Sequence, residues 1–96
     1  MSIGVVAILR IKPGREQEFE GIFAELAKKV RANEPGSQLY KLFRSQNEKS
    51  TYVAMEICAD ADALKAHQQS DHVRAAIPKL EALLAGDFEG YVLDAV

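Results

Sequence analysis

The chain has 96 residues, 12 of them basic and 14 acidic, for a formal charge of −2, and 48% are hydrophobic. That describes one ordinary domain over residues 1–96, without the cationic footprint of a nucleic-acid binder or any charge-driven pull toward an anionic membrane. Cys58 is the only cysteine, which excludes a disulfide-stapled secreted scaffold.

Residues 3–11 are rich in Val, Ile and Leu and predict a first strand. Arg10 and Lys12 interrupt this apolar run far short of the roughly 20 residues a membrane helix needs. No basic segment precedes it, so a cytoplasmic location is expected. After Pro13-Gly14, residues 15–32 carry Phe19, Ile22, Phe23, Leu26, Ala27 and Val30. Their steps of three and one trace one face of a helix, which Pro35-Gly36 stops. Residues 38–45 and 51–59 predict two strands of a hairpin, with Asn47 and Lys49 at the bend. Asp60 can cap a short helix through His67. Ser70 can cap a longer one, with Val73, Ile77, Leu80 and Leu84 on one stripe. Pro78 falls inside that helix and removes one backbone donor. Gly86 suits the position just beyond its end, and residues 88–95 predict a fourth strand.

The order β-α-β-β-α-β predicts an α+β, ferredoxin-like subunit whose helices cover one face of an antiparallel sheet. The strands do not alternate cleanly. In the first, Val5, Ala7 and Leu9 point one way and Val6 and Ile8 the other. In the third, Val53, Met55 and Ile57 oppose Tyr52, Ala54, Glu56 and Cys58. Both sheet faces therefore ask for cover, and the helices suffice for one. A chain this short buries only roughly 60–65% of its unfolded surface. A homodimer joined sheet face to sheet face is expected.

Glu56 is the residue most at odds with its surroundings, since a carboxylate in an apolar strand is costly unless paired. It can serve as a pocket carboxylate that orients a histidine or binds a polar group. An ordinary ion pair to Arg10, Arg44 or Lys41 is the plainer alternative. His67 and His72 flank the junction between the two later helices. The helix dipole favours the protonated form of the first and the neutral form of the second. Both can instead simply bond backbone groups at the junction. Their spacing of five is not that of two metal ligands on one helical face, and no metal site is expected. Cys58 has no Cys-x-x-Cys partner and reads as a small buried hydrophobe. Tyr40 and Tyr52, on adjacent strands, can contact an aromatic ligand or fill the core. There is no glycine-rich phosphate loop, no G-x-S-x-G and no dinucleotide fingerprint.

Three segments together resemble the antibiotic biosynthesis monooxygenase domain family: Glu34-Pro35-Gly36-Ser37 with Tyr40, then Tyr52-x-x-x-Glu56, then Ala63-Leu64-x-x-His67-x-x-Ser70-x-His72. The resemblance spans about residues 3 to 95. It implies a dimeric α+β barrel and cofactor-independent oxygenation of a phenol, quinol or anthrone by O₂. In that chemistry a base removes a proton and the substrate anion passes an electron to O₂. The resemblance places Glu56, His67 and His72 at the family's acidic and histidine positions. A histidine would be the base and Glu56 the orienting carboxylate, with Tyr40, Tyr52, Cys58 and Arg44 as substrate contacts. Cys58 and Val73 stand where the family usually has aromatic residues, which removes stacking area for a large polycyclic substrate. The chain has no Trp, unlike related haem-degrading members.

Two further readings accompany this one. Ala66-His67-x-x-Ser70-x-His72 with Lys79-Leu80-Glu81-x-Leu83 also resembles the branch that isomerises the phosphorylated autoinducer-2 signal. Arg10, Arg44 or Arg74 would then supply a cation for the phosphate. The remaining alternative is a non-catalytic dimer that binds a small apolar ligand.

Overall fold

A computed structural model describes residues 1–96. The elements are β1 (Ile3–Arg10), α1 (Glu16–Asn33), β2 (Ser37–Arg44), β3 (Thr51–Cys58), α2 (Ala61–Gln69), α3 (Asp71–Glu81) and β4 (Glu89–Asp94). The sheet order is β2-β3-β1-β4, antiparallel throughout. This is the expected ferredoxin-like arrangement, with helices on one face.

Gly14 adopts φ +88°, a left-handed conformation that glycine takes without a steric penalty, and α1 begins two residues later. Of the six apolar positions that define its inner stripe, Phe19, Phe23, Leu26, Ala27 and Val30 are buried. Phe19, Phe23 and Ala27 join Ile11, Tyr52 and Leu83 in the main core cluster. Leu26 and Val30 pack with Val73 and Ala76 of α3. The β2–β3 hairpin closes through Ser45 N–H to Thr51 O at 2.8 Å. The Ser45 hydroxyl accepts from the Asn47 and Glu48 N–H groups inside the bend, as short hydroxyl side chains do in turns.

The later helices start as their capping residues dictate. Asp60 accepts from Ala63 N–H, and Ser70 accepts from Val73 N–H. The end of α3 departs from expectation. The helix passes through Pro78 but stops at Glu81, and Gly86 lies too far beyond to be its terminal glycine. Pairing with the end of β1 wins instead. Leu84 forms a bridge with Ile11, Lys12 N–H donates to Leu83 O, and Ala85 N–H donates to Arg10 O, both at 2.8 Å. Leu83 is thereby buried in the core and Leu84 leaves the helical stripe.

Strand register assigns the two faces. Tyr40, Glu56, Val5 and Val92 lie in one cross-strand row on the helix side. The opposite side carries the row Lys41, Met55, Val6, Tyr91 and the row Leu39, Ile57, Gly4, Leu93. On that outer face Met55, Ile57, Tyr91 and Leu93 are exposed in the single chain. No helix is long and apolar enough to cross a membrane.

Candidate active site

Four titratable side chains interlock where the end of α1 meets β3 and the α2–α3 junction. Glu34 is the C-cap of α1, at a point where Pro35 prevents the helix from continuing. Its carboxylate reaches both histidines. Oε1 and Oε2 lie 2.8 and 3.0 Å from His67 Nδ1, and Oε2 lies 2.5 Å from His72 Nε2. His67 Nε2 lies 3.2 Å from Glu56 Oε2. All four side chains are nearly buried, between 9 and 13% exposed.

Local structure sets this geometry. Ser70 alone separates the two helices. Its hydroxyl donates to His67 O at 2.7 Å and accepts from Val73 N–H, so one side chain ends α2 and begins α3. Gly36 lets α2 approach the start of β2. A Cβ there would stand 2.6 Å from Ala63 Cβ, a distance real side chains do not tolerate. Ala59 N–H also donates to Gly36 O at 2.8 Å. Tyr40 sits between Phe23, with ring centroids stacked at 5.1 Å, and His67, tilted at 5.2 Å.

The electrostatics follow from the contacts. Burial works to lower the pKa of His67, but the carboxylates of Glu56 and Glu34 outweigh it, and the net shift is upward. The ring is thus held between two carboxylates that favour its protonated form. The Tyr40 phenol is pushed above its ordinary value by burial, then by Glu56 and Glu34, and stays protonated. Burial, and after it Glu56, Glu34 and Asp60, push the Cys58 thiol up to about 11. No three His, Cys, Asp or Glu side chains are grouped to hold a metal ion.

Glu56 also borders a cavity of about 250 Å³ between the inner sheet face and α3. Ten of its twelve lining residues are hydrophobic, among them Leu9, Phe23, Tyr40, Ile77, Leu80 and Phe88. The two charged ones, Glu56 and Glu81, are both acidic. His72 faces elsewhere. It lines an open groove of about 400 Å³ between α1 and α3, with Gly21, Leu26, Ala75 and Lys79.

The structure therefore gathers Glu56, His67, His72 and Tyr40 and leaves other expected site residues apart. Tyr52 shares a sheet face with Glu56, but four residues along a strand is about 13 Å. Its hydroxyl donates to Glu20 at 2.5 Å, and Arg44 donates to the same carboxylate oxygen at 3.1 Å. Neither lines the apolar cavity. The expected ion pair of Glu56 with Arg10, Arg44 or Lys41 does not form, and Arg10 pairs with Glu89 instead. Cys58 is buried beyond Glu56 on the same strand, and its raised pKa makes it a packing group. Glu34 is the member of this cluster that residue spacing does not single out. Its signal was its place in the Glu34-Pro35-Gly36 motif, where a helix-terminal carboxylate looks solvated.

The sequence and the fold of this chain both have counterparts among known proteins. The sequence pattern described as antibiotic biosynthesis monooxygenase matches residues 2–79, and the chain belongs to that family. A curated Bacillus subtilis (strain 168) protein named "Putative monooxygenase YcnE" is 30% identical over 83 residues, 86% of each chain. Among solved structures, a Caulobacter crescentus CB15 protein titled "putative antibiotic biosynthesis monooxygenase" is 44% identical. It superimposes with a TM-score of 0.96 over 99% of this chain and 90% of its own. SnoaB of Streptomyces nogalater, titled a cofactor-independent oxygenase, is 26% identical, with a TM-score of 0.85 over 98% of this chain and 92% of its own.

Proposed function

We propose that the protein is a cofactor-independent monooxygenase that oxidises a small phenol or quinol with O₂. The observation that carries this reading is a nearly buried carboxylate, Glu56, at the wall of a largely apolar cavity and backed by the His67 ring. A hydroxyl of an electron-rich ring seated there meets Glu56 as its base. His67, already held by two carboxylates, offsets the charge and positions Glu56. This exchanges the roles first expected, in which a histidine was the base. The ring anion gives an electron to O₂, and the two radicals combine. Overall a ring C–H becomes C–OH, the quinol becomes a quinone, and the four electrons released reduce O₂ to that hydroxyl oxygen and water.

Size supports the small end of the expected substrates. An apolar cavity of about 150 Å³ accommodates benzene, so about 250 Å³ suits one or two fused rings better than a three-ring anthrone. A phosphorylated substrate is disfavoured, because both charged residues on the cavity wall are acidic. Two of the three arginines considered as phosphate ligands are engaged with Glu89 and Glu20. The same reading includes a homodimer through the outer sheet face, supported by its exposed Phe43, Met55, Ile57, Tyr91 and Leu93.

Oxygen uptake with a naphthohydroquinone, without added flavin or metal, tests the activity. A Glu56→Gln variant should lose about 10²–10⁴-fold. Equal uptake by wild type and variant removes the oxygenase reading. Thermal stabilisation by the quinol without turnover would instead mark a ligand-binding protein. NMR-detected rearrangement of the phosphorylated signal would mark an isomerase.

A further inference from the structure

The four-residue cluster has two ends, and they border different spaces. Glu56 lines the apolar cavity between sheet and α3, while His72 lines the groove on the far side of α3, against α1. Every contact between those ends is within 3.2 Å: Glu56 Oε2 to His67 Nε2, His67 Nδ1 to Glu34 Oε1, and Glu34 Oε2 to His72 Nε2. Carboxylate and imidazole alternate along the whole path.

We propose that this chain is a proton path through the fold, with His72 as its solvent-side port, so that the buried cavity exchanges protons with the α1–α3 groove. The proposal rests on the base role given above to Glu56, but the path itself is a property of these four side chains.

Each mobile proton moves by one contact. When Glu56 takes a proton from the ring hydroxyl, one of the two negative charges holding the His67 imidazolium is neutralised. His67 then gives its Nδ1 proton to Glu34. Glu34 passes a proton to His72 Nε2, and His72 releases one from Nδ1 to water in the groove. One proton enters at Glu56 and one leaves at His72, so the net charge of the cluster is the same before and after. The steps reverse when Glu56 returns its proton to the reduced oxygen species.

The groups facing this path come from every neighbouring element. Tyr40 of β2 and Cys58 of β3 lie beside it, with their pKa values raised, so neither drains a proton from it near neutral pH. Around His72 the groove presents Glu18, Glu25 and Lys29 of α1 and Lys79 of α3. The remote position of His72 thus gains a function that substrate contact could not supply.

The test is the exchange of the His67 ring N–H protons with water, measured by NMR on the ¹⁵N-histidine-labelled full-length protein. His72→Gln keeps a donor for Glu34 but cannot carry a proton. Exchange should slow by about a hundredfold, the low end of what a positioned acid–base group contributes, with the His67 ring shifts little changed. Ala75→Leu, which narrows the groove beside His72, should slow exchange in the same direction, and it carries the comparison if His72→Gln fails to fold. Ile77→Phe, which fills the apolar cavity, should leave the rate unchanged. Unchanged exchange in the two groove variants, or slowing only when the cavity is filled, overturns the path. No turnover is involved, so a failed oxygenase assay and a failed proton path are separate results.

Discussion

Glu34 is bonded to two histidines at once, and replacing it by Gln removes a charge while keeping the shape. The carboxylate accepts from His67 Nδ1 and contacts His72 Nε2 with the site almost closed to water. A hydrogen bond to a charged group contributes about 1.5–3 kcal/mol net. Glu34→Gln should therefore cost about that much at pH 6, a large share of the 5–15 kcal/mol typical of a small protein. The cost should depend on pH in a definite direction. The folded-state pKa of His67 is raised, by Glu56 and Glu34 against burial. Its contribution to stability is thus fully present below the unfolded value of about 6.5. It is lost as pH rises through the folded-state value. In the variant, burial opposes Glu56 alone and the folded-state pKa falls. The stability gap between wild type and variant should be widest between about pH 5.5 and 6.5 and narrow toward pH 8.5. Urea unfolding at fixed protein concentration measures it. Two stability–pH curves that run parallel from pH 5.5 to 8.5 would refute the claim that Glu34 holds His67 in its charged form.

Gly36→Ala should destabilise by about 1–3 kcal/mol, as overpacking does, because its Cβ would meet Ala63 Cβ at 2.6 Å. The double variant Gly36→Ala/Ala63→Gly should recover part of the loss, and chemical denaturation reads both. The Cys58 thiol, buried and with its pKa raised to about 11, should resist a thiol-specific reagent at pH 8 in the native protein and react at once in urea. Fast native labelling would contradict its burial. Met55→Glu places a charge in the middle of the exposed outer sheet face. It should convert a dimer to a monomer in light scattering at micromolar concentration, and a wild-type monomer there would end the proposal of a sheet-to-sheet pair.

Much of the fold was legible because its determinants are local. The 3-1-3-1 spacing of Phe19 to Val30, the caps Asp60 and Ser70, and the Pro35-Gly36 stop each act within a few residues. The predicted elements accordingly fall within a residue or two of their observed limits, except at the end of the third helix. There Leu84 looks helical by period, but it and Leu83 are drawn out by backbone pairing of residues 83–85 with Arg10, Ile11 and Lys12, more than seventy residues earlier. Glu56 stood out because a charge in an apolar strand is anomalous wherever the strand sits. Its partner did not, because nothing in the spacing brings the end of the first helix to the α2–α3 junction. Period-2 reasoning correctly put Tyr52, Glu56 and Cys58 on one face. It is silent about distance along that face, which is why Tyr52 joined the expected site and belongs with Glu20 and Arg44 instead.

The single-residue junction at Ser70 bears on how such a site can change over generations. With one residue between two helices, there is no slack to absorb an insertion or deletion. One added residue would turn everything beyond it by about 100° and shift it by about 1.5 Å, swinging His72 off Glu34. The bend at Gln46–Ser50 faces no such restriction, since it only closes a hairpin at the opposite end of the sheet from Glu56. Length variation should therefore collect at that bend and be purged between His67 and His72, whatever the residues at either place become. The five-residue interval is inherited as a unit, as much a part of the chemistry as the histidines that bound it.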